Sequence, residues 1–382
     1  MNFVALSMLT GDRAKYLGLI FAIAFSSFLL ENQVSIFCGI MKRTASQILD
    51  VTDAPIWVMD PRTEYVDEVK PLTANALLRV RSVPGVKWAV PLFKGLPRLQ
   101  SADGKFRNAI LMGLDDGTLV GAPRRLRLGS ISALQEPDAI IIDYAGYSFF
   151  YPGEPLAVGK ILEMNDRRVK IVGVADAAAP FATFPVVFAR YSQAITFVGA
   201  ERNLLSFVLV MPEPSVSIDA LSHDIEARTG LRASTTQTFF WQTIRYYIEN
   251  TGIPVNFGIT ISLAFLIGAI VAGQTFYLFT LDNLPHFAAL KAIGVTNARL
   301  TAMIVLQAVT VALLGFAAGT GLCAGFFELT LRKMATRGIV LMWQAVLGTG
   351  AAMLLIVIAS SLLSIRRVLV LEPAVVFRGQ DR

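Results

Sequence analysis

The 382 residues predict an α-helical membrane protein with four transmembrane helices and an inserted α+β extracytoplasmic domain. Three observations predict it. Hydrophobic residues make up 54% of the chain and charged ones only 16%, too apolar a balance for an ordinary soluble domain. Four apolar runs, 16–41, 255–281, 301–327 and 339–364, each meet the bilayer's need for about 20 residues at a rise of roughly 1.5 Å per residue. Between the first and second runs lies a long stretch of mixed composition, rich in strand and turn signals.

Composition also excludes some functions. The net charge is +6, but the basic residues are scattered or flank apolar runs, and no basic stripe with interleaved aromatics marks a nucleic-acid surface. The two cysteines, Cys38 and Cys323, fall in or beside apolar runs, so the mixed stretch is not stapled by disulfides. With only His223 and His286 added to them, no metal site is expected.

In chain order, 1–15 reads as a short amphipathic helix at the membrane surface, with Phe3, Leu6 and Leu9 on one side and Asp12, Arg13 and Lys15 at its end. The apolar run from Tyr16 is long and no small-x-small site closes it, so it is expected as an uncleaved first span, 16–41, with the start of a stalk. Glu31, Asn32 and Gln33 lie about 15 residues into that span, where a carboxyl group needs a partner helix or water. They form either a proton relay or, more simply, the polar patch where the helix leaves the membrane. Phe37 to Asp50 extends the helix outward.

The domain over 42–250, with its stalk helices, shows a strand at Pro55 to Met59 and two hairpins. One pairs Leu96–Gln100 with Phe106–Met112 around Asp103-Gly104; the other pairs Ile161–Met164 with Val169–Val174 around Asn165-Asp166. Helices are predicted at Thr73–Arg81 and at Ile218–Thr229, closed by Gly230. Asp115-Asp116 and Asp138 to Asp143 offer paired carboxylates but read as loop residues, and no GxSxG or HExxH accompanies them. No catalytic residues are expected. Thr238 to Asn250, TFFWQTIRYYIEN, is both a returning stalk helix and an interfacial aromatic belt.

The second span, 255–281, leads into 282–300, DNLPHFAALKAIGVTNARL, a polar-ended segment at a membrane face. Phe287, Leu290 and Ile293 recur at helical spacing, His286, Lys291 and Thr296 project elsewhere, and the helix stops near Gly294. The third span, 301–327, a short loop, 328–338, the fourth span, 339–364, and a tail, 365–382, complete the order. Gly315, Gly319 and Gly321 in the third span and Gly348, Gly350, Ala351 and Ala352 in the fourth permit close helix contact, within one subunit or between two. Basic residues favour both termini inside: Arg13, Lys15, Lys291, Arg299, Arg366, Arg367, Arg378 and Arg382 against Arg332, Lys333 and Arg337 in the external loop.

The run FAALKAIGVTNARL, residues 287–300, resembles the cytoplasmic coupling segment of FtsX/MacB-type permeases of ABC transporters, and most of all the DevC branch of tripartite exporters. The tail, with Arg366-Arg367 and Leu371-Glu372-Pro373-Ala374, resembles that family's tail, and Asp53 to Pro61, DAPIWVMDP, resembles text in its periplasmic domain. No GxxxxGK[ST] stretch occurs in these residues, so ATP and Mg would be bound by a separate ABC ATPase subunit. The resemblance implies two copies of the permease on two ATPase subunits. Phe287, Leu290 and Ile293 would be the buried anchors, Lys291 a polar edge and Gly294 the helix stop. Where the family often has acidic residues before this core, His286 and Phe287 stand here. It further implies a bacterial inner membrane, a periplasmic domain, contact with membrane lipid, a membrane-fusion protein and a TolC-like outer-membrane channel. The alternatives are a lipoprotein-releasing or envelope-signalling permease, and a membrane receptor that transports nothing.

Overall fold

The computed structural model describes residues 2–11, 13–199, 205–330 and 338–370. The chain divides into two compact units, Met1–Gly39 with Gly252–Arg382, and Ile40–Thr251.

The first unit is helical. Helix α1 is Asn2–Gly11 and α2 is Arg13–Thr44, whose last residues belong to the second unit. The chain passes through six short helices of the second unit before it returns at α9, Ile253–Asp282. It is followed by α10, Leu284–Ala292, α11, Asn297–Thr330, and α12, Trp343–Val370. Four of these, α2, α9, α11 and α12, are long and apolar enough to cross a membrane.

Lipid chains are as apolar as leucine, so packing rather than a hydrophobic drive joins such helices, and small residues set where they meet. A methyl group on Gly319 of α11 would lie 2.5 Å from the Ala24 carbonyl oxygen of α2 and 2.8 Å from Ser27 Cβ. One on Gly315 would lie 2.7 Å from Ile23 Cβ. Gly268 of α9 faces Ser26, Gly350 of α12 faces the Phe316 ring, and Gly321 and Gly348 face open space. The glycines with close neighbours therefore pack one subunit internally. Leu19, Ile23, Phe276, Val311, Met353 and Val357 fill the core between these helices.

Helix α1 packs on α11, where Gln307 Nε2 donates to the Ala5 carbonyl at 2.7 Å. Its buried face is Ala5 and Leu9, one helical turn apart, while Phe3 and Leu6 are exposed. Of the expected Phe3–Leu6–Leu9 side, Phe3 and Leu6 stay exposed while Leu9 joins Ala5 against the bundle, and the small Ala5 allows the close approach that Gln307 then fixes.

The second unit is a mixed sheet with helices on both faces. Its helices are α3 (Ser46–Asp50), α4 (Ala74–Arg81), α5 (Tyr144–Phe150), α6 (Tyr191–Val198), α7 (Ile218–Thr229) and α8 (Thr236–Asn250). Twelve strands follow the chain: β1 (Ile56–Met59), β2 (Val86–Gly95), β3 (Arg98–Gln100), β4 (Phe106–Asn108), β5 (Ile110–Leu114), β6 (Arg125–Gly129), β7 (Ala139–Asp143), β8 (Ile161–Met164), β9 (Arg167–Asp176), β10 (Val186–Arg190), β11 (Phe207–Pro212) and β12 (Arg232–Thr235). Their order is β12-β1-β11-β2-β5-β10-β7-β9-β8-β3-β4, with β6 beside β9. Among the described residues only β10/β5 and β7/β9 pair in parallel.

Period-two alternation divides each central strand between two cores. Ile56 and Val58 point to α4 and α7, while Trp57 and Met59 point to α3 and α8. Ile140 and Ile142 join the core beside α5 and α6; Ala139 and Ile141 join the opposite one. A strand buried on both faces shows no polar alternation, and therefore 139–143, 186–190 and 207–212 lacked a sequence signal. Asp143 is corrected with them: it is no loop residue but a fully buried helix cap, accepting from Gly146 N at 3.0 Å and Val186 N at 3.1 Å. Asp138 stays in a turn with φ of 56°.

Both hairpins form. Asn165 and Asp166 adopt φ of 46° and 63°, the left-handed pair a two-residue turn needs, and Arg98–Gln100 pairs with Phe106–Asn108. The strand expected through Met112 breaks at Ala109, and Ile110–Leu114 pairs instead with β2 and β10. Helix α7 ends at Gly230 as its sequence requires, with φ of 63°. The helix expected over Phe37–Asp50 is interrupted at Ala45. The helices that hold the second and third apolar runs cover Ile253–Asp282 and Asn297–Thr330, and the one that holds the fourth starts at Trp343. Arg332, Lys333, Arg337 and the tail from Leu371 to Arg382 lie outside the described residues.

Replacing Gly319 by valine should force α2 and α11 apart, at about 1–3 kcal/mol for overpacking, while Gly321→Val should be neutral. Thermal unfolding of the two purified variants in one detergent checks this; equal midpoints would contradict the contact.

Candidate functional site

The link between α9 and α11 is built from the main chain upward. Asn283 ends α9, and Pro285 stands in the first turn of α10, where no amide is needed. At the other end Val295 N bonds the Leu290 carbonyl and Gly294 N bonds the Lys291 carbonyl, both at 3.1 Å. This six-to-one and five-to-two pair is a Schellman motif, and it sets Gly294 at φ of 94°, open to glycine at no steric cost. Val295 and Leu290 pack together on one small core, the apolar contact that accompanies the motif. The chain then turns at once into α11, with Leu300 N on the Thr296 carbonyl at 3.1 Å.

The motif sorts the expected site residues by direction. Phe287 is buried at 1% exposure against Leu300 and Ile304, with Met8 of α1 alongside. It is therefore corrected from a free anchor to a core residue of its own chain. Ile293 is 78% exposed, Leu290 half-buried, Lys291 half-buried, and Gly294 exposed beside Ile293. One large apolar side chain thus projects from the end of a rigidly closed turn. At the other end of α10, a groove of about 520 Å³ runs between α1 and the start of α10, and Lys15 and Asp282 form an ion pair of 2.9 Å at its edge.

The polar trio of the first span divides similarly. Glu31 is fully buried and faces a partner helix: Thr320 Oγ1 of α11 donates to its Oε1 at 2.7 Å. Glu31 Oε2, Ser27 Oγ and Ser35 Oγ, at four-residue spacing on one face, make no hydrogen bond among the described residues. Asn32 and Gln33 are half-buried on other faces and take no part in the contact. Thr320 has no motif of its own; a lone polar residue in an apolar run opposite Glu31 was the available signal.

Two family models divide this chain between them. The MacB-like periplasmic core domain model matches residues 17–228, more than half the chain, and the FtsX-like permease C-terminal model matches 258–373. The chain belongs to the FtsX/MacB permease family. It is similar to an uncharacterized ABC transporter permease of Mycobacterium tuberculosis, at 24% identity over 311 residues, 81% of this chain and 80% of the relative. A second permease of the same organism matches at 24% over 79% of this chain and 78% of its own. Among solved structures, the periplasmic region of MacB from Actinobacillus actinomycetemcomitans matches 53% of this chain and 96% of that one, at 14% identity and a TM-score of 0.39. The extracellular domain of YknZ, a transporter from Gram-positive bacteria, matches at 16% identity over 48% of this chain and 98% of that one, with a TM-score of 0.35.

As an FtsX/MacB-type ABC transporter permease, the chain has four membrane helices and the family's inserted periplasmic domain, and its family works with an ATPase. Within that domain sequence reasoning missed a buried cation. The Lys94 side chain, 4% exposed, donates to Asp67 and, at 2.9 Å, to the Val66 carbonyl. Tyr247 OH donates to the other Asp67 oxygen at 3.3 Å. Burial pushes the Lys94 ammonium below the ordinary lysine range although Asp67 pulls it back, and burial, then Asp67, raises the Tyr247 phenol. A single lysine in an apolar strand carries no motif, so only its spatial neighbours reveal the cluster.

Asp67→Ala should strip Lys94 of its counter-charge and cost about 2–3 kcal/mol, less than for a fully buried pair because Asp67 is one-third exposed. Lys94→Met should stay within about 1 kcal/mol, since it leaves no buried charge. Tryptophan-monitored denaturation of the whole chain checks the asymmetry: Trp57, Trp88 and Trp241 lie in this domain.

Proposed function

We propose that this permease transmits the motion of an ATP-driven partner to its periplasmic domain and so drives export across the envelope. ATP and Mg are bound by the partner ATPase, into whose surface groove α10 and the turn after it would fit. Ile293 supplies the apolar anchor, Leu290 backs it from the half-buried side, Lys291 borders it and Gly294 holds its angle. The observation that carries this reading is the exposure of Ile293 on a turn closed by two backbone bonds, because a large apolar group held rigidly in water or at a headgroup surface is the form a docking anchor takes.

The excess of basic residues at that side supports both termini in the cytoplasm, and a second copy of the chain would complete the transporter. The exposed face of α9, with Val255, Ile259, Leu263 and Ile270, is available to lipid or to that copy. Export would proceed with a membrane-fusion protein and a TolC-like outer-membrane channel, as in the DevC branch. Substrate need not cross the helix bundle. Closure of the ATPase would move α10, and through the spans would alter the domain outside, a two-state transmission through rigid helices.

Ile293→Asp should abolish recovery of the ATPase with the permease and leave the fold intact, whereas Phe287→Asp should lower the yield of folded permease, because it buries a charge in the chain's own core. Mild-detergent purification of the tagged chain from native membranes, with mass spectrometry of its companions, reads both. A P-loop ATPase with a coiled-coil adaptor supports the tripartite exporter. An ATPase without an adaptor points to the lipoprotein-releasing or envelope-signalling reading, and recovery of neither, against a control permease that retains its ATPase, refutes the coupling role.

A further inference from the structure

The periplasmic domain holds a cavity of about 520 Å³, within the usual range of roughly 300–1,000 Å³ for small-molecule sites. Its walls come from separate parts of one unit: α3, the loop at 67–71, the end of β2, the loop at 180–184 and α8. Most of the lining is apolar, with Phe93, Leu96, Ile110, Phe181 and Phe184 as its larger members. The loop at 180–184 is anchored, since Arg43 Nη2 donates to the Pro180 carbonyl at 2.9 Å and Ser46 Oγ to the Ala179 carbonyl at 3.0 Å. The cavity is therefore a preformed feature of the fold.

Its polar groups determine what would fit. Lys94 and Asp67 stand in the wall as a charge-compensated pair, with Tyr247 bonded to the same carboxylate. That pair presents no net charge, and an ionised ligand would have to break it to find a partner. Ser206 is likewise occupied, accepting from Lys94 N at 2.9 Å. Gln47 differs. It lines the cavity, is 3% exposed, and its Oε1 makes no hydrogen bond among the described residues. A buried carboxamide oxygen left unbonded costs free energy, and a half-turn about the last torsion can present either end of the amide to the cavity.

We propose that this cavity binds a neutral amphipathic molecule, an apolar body with a single amide or hydroxyl head that hydrogen-bonds the Gln47 carboxamide. The apolar body lies against Phe93, Phe181 and Phe184, and the head lies toward α3. The site belongs to the periplasmic domain alone and does not depend on how α10 engages an ATPase.

Photolabelling of the full-length chain in native membrane vesicles tests it. The probe is a twelve-carbon primary amide carrying a mid-chain diazirine, and the matched carboxylic acid serves as the charged comparison. Peptides containing 93–96 and 180–184 should label saturably with the amide and several-fold less with the acid, while the four spans label in proportion to probe. Gln47→Leu should lower labelling of the cavity peptides roughly five- to tenfold, the effect of one buried hydrogen bond left unmade. Ala182→Trp, which fills the cavity from an exposed wall position, should abolish it, and span labelling should be unchanged in both. Labelling of 93–96 and 180–184 that rises without saturation, that survives Ala182→Trp, or that is as strong with the acid would overturn the proposal. Recovery of the ATPase in the same preparations separates this result from any failure of coupling.

Discussion

Close contact between α2 and α11 governs the membrane unit. At Gly319 the backbone carbonyl of Ala24 occupies the space a side chain would need, and at Gly315 Ile23 does the same. Water does not drive these helices together, so the contact relies on dispersion between closely spaced backbones and on polar groups that find partners across it. Glu31 finds Thr320 in this seam, one residue after the tighter glycine. The close approach that lets the helices pack also brings that hydroxyl within hydrogen-bond range of the carboxyl group. Ser27, Glu31 and Ser35 lie on the same face of α2, which makes the seam polar along its length rather than at one point.

The same helix α11 organises the other end of the unit. Gln307 holds α1 through the Ala5 carbonyl, and Leu300 and Ile304 bury Phe287. The α10 turn is thereby tied to the bundle by an aromatic side chain on one side and by its Schellman closure on the other. A turn that were only polar and loose would lose conformational freedom on docking, at a cost of roughly 0.5–1.5 kcal/mol for each mobile side chain. Burying Phe287 in the chain's own core removes much of that cost in advance, and it leaves Ile293 as the group a partner can reach.

These particulars show what could be read from residues alone. The spans, the inserted domain, the turn at Gly294 and both hairpins follow from local signals: apolar length, glycine at positive φ, and Asp-Gly or Asn-Asp between alternating residues. Central strands such as 139–143 and 207–212 were silent because burial on both faces erases alternation. Phe287 and Ile293 sit six residues apart, roughly 120° around a helical wheel, but spacing does not say which of them the chain buries; the packing of α1 and α11 does. Gln47, Asp67, Lys94 and Tyr247 are distant in sequence, so no spacing rule could join them.

The inserted domain combines two opposite treatments of buried polarity. Asp143 is wholly buried and satisfied by two backbone amides, and it fixes the start of α5 against β10. Lys94 is buried and answered by Asp67, which keeps one-third of its side chain in water and so limits the desolvation of the pair. Neither arrangement leaves capacity for a ligand. Gln47 is in the same structure, nearly as buried, and its Oε1 lacks such a partner among the described residues, although the neighbouring Ser46 and Arg43 are bonded to the 179–180 carbonyls. A domain that satisfies the polar groups on either side of one carboxamide, and opens an apolar space beside that carboxamide, reserves its hydrogen bond for something the space admits.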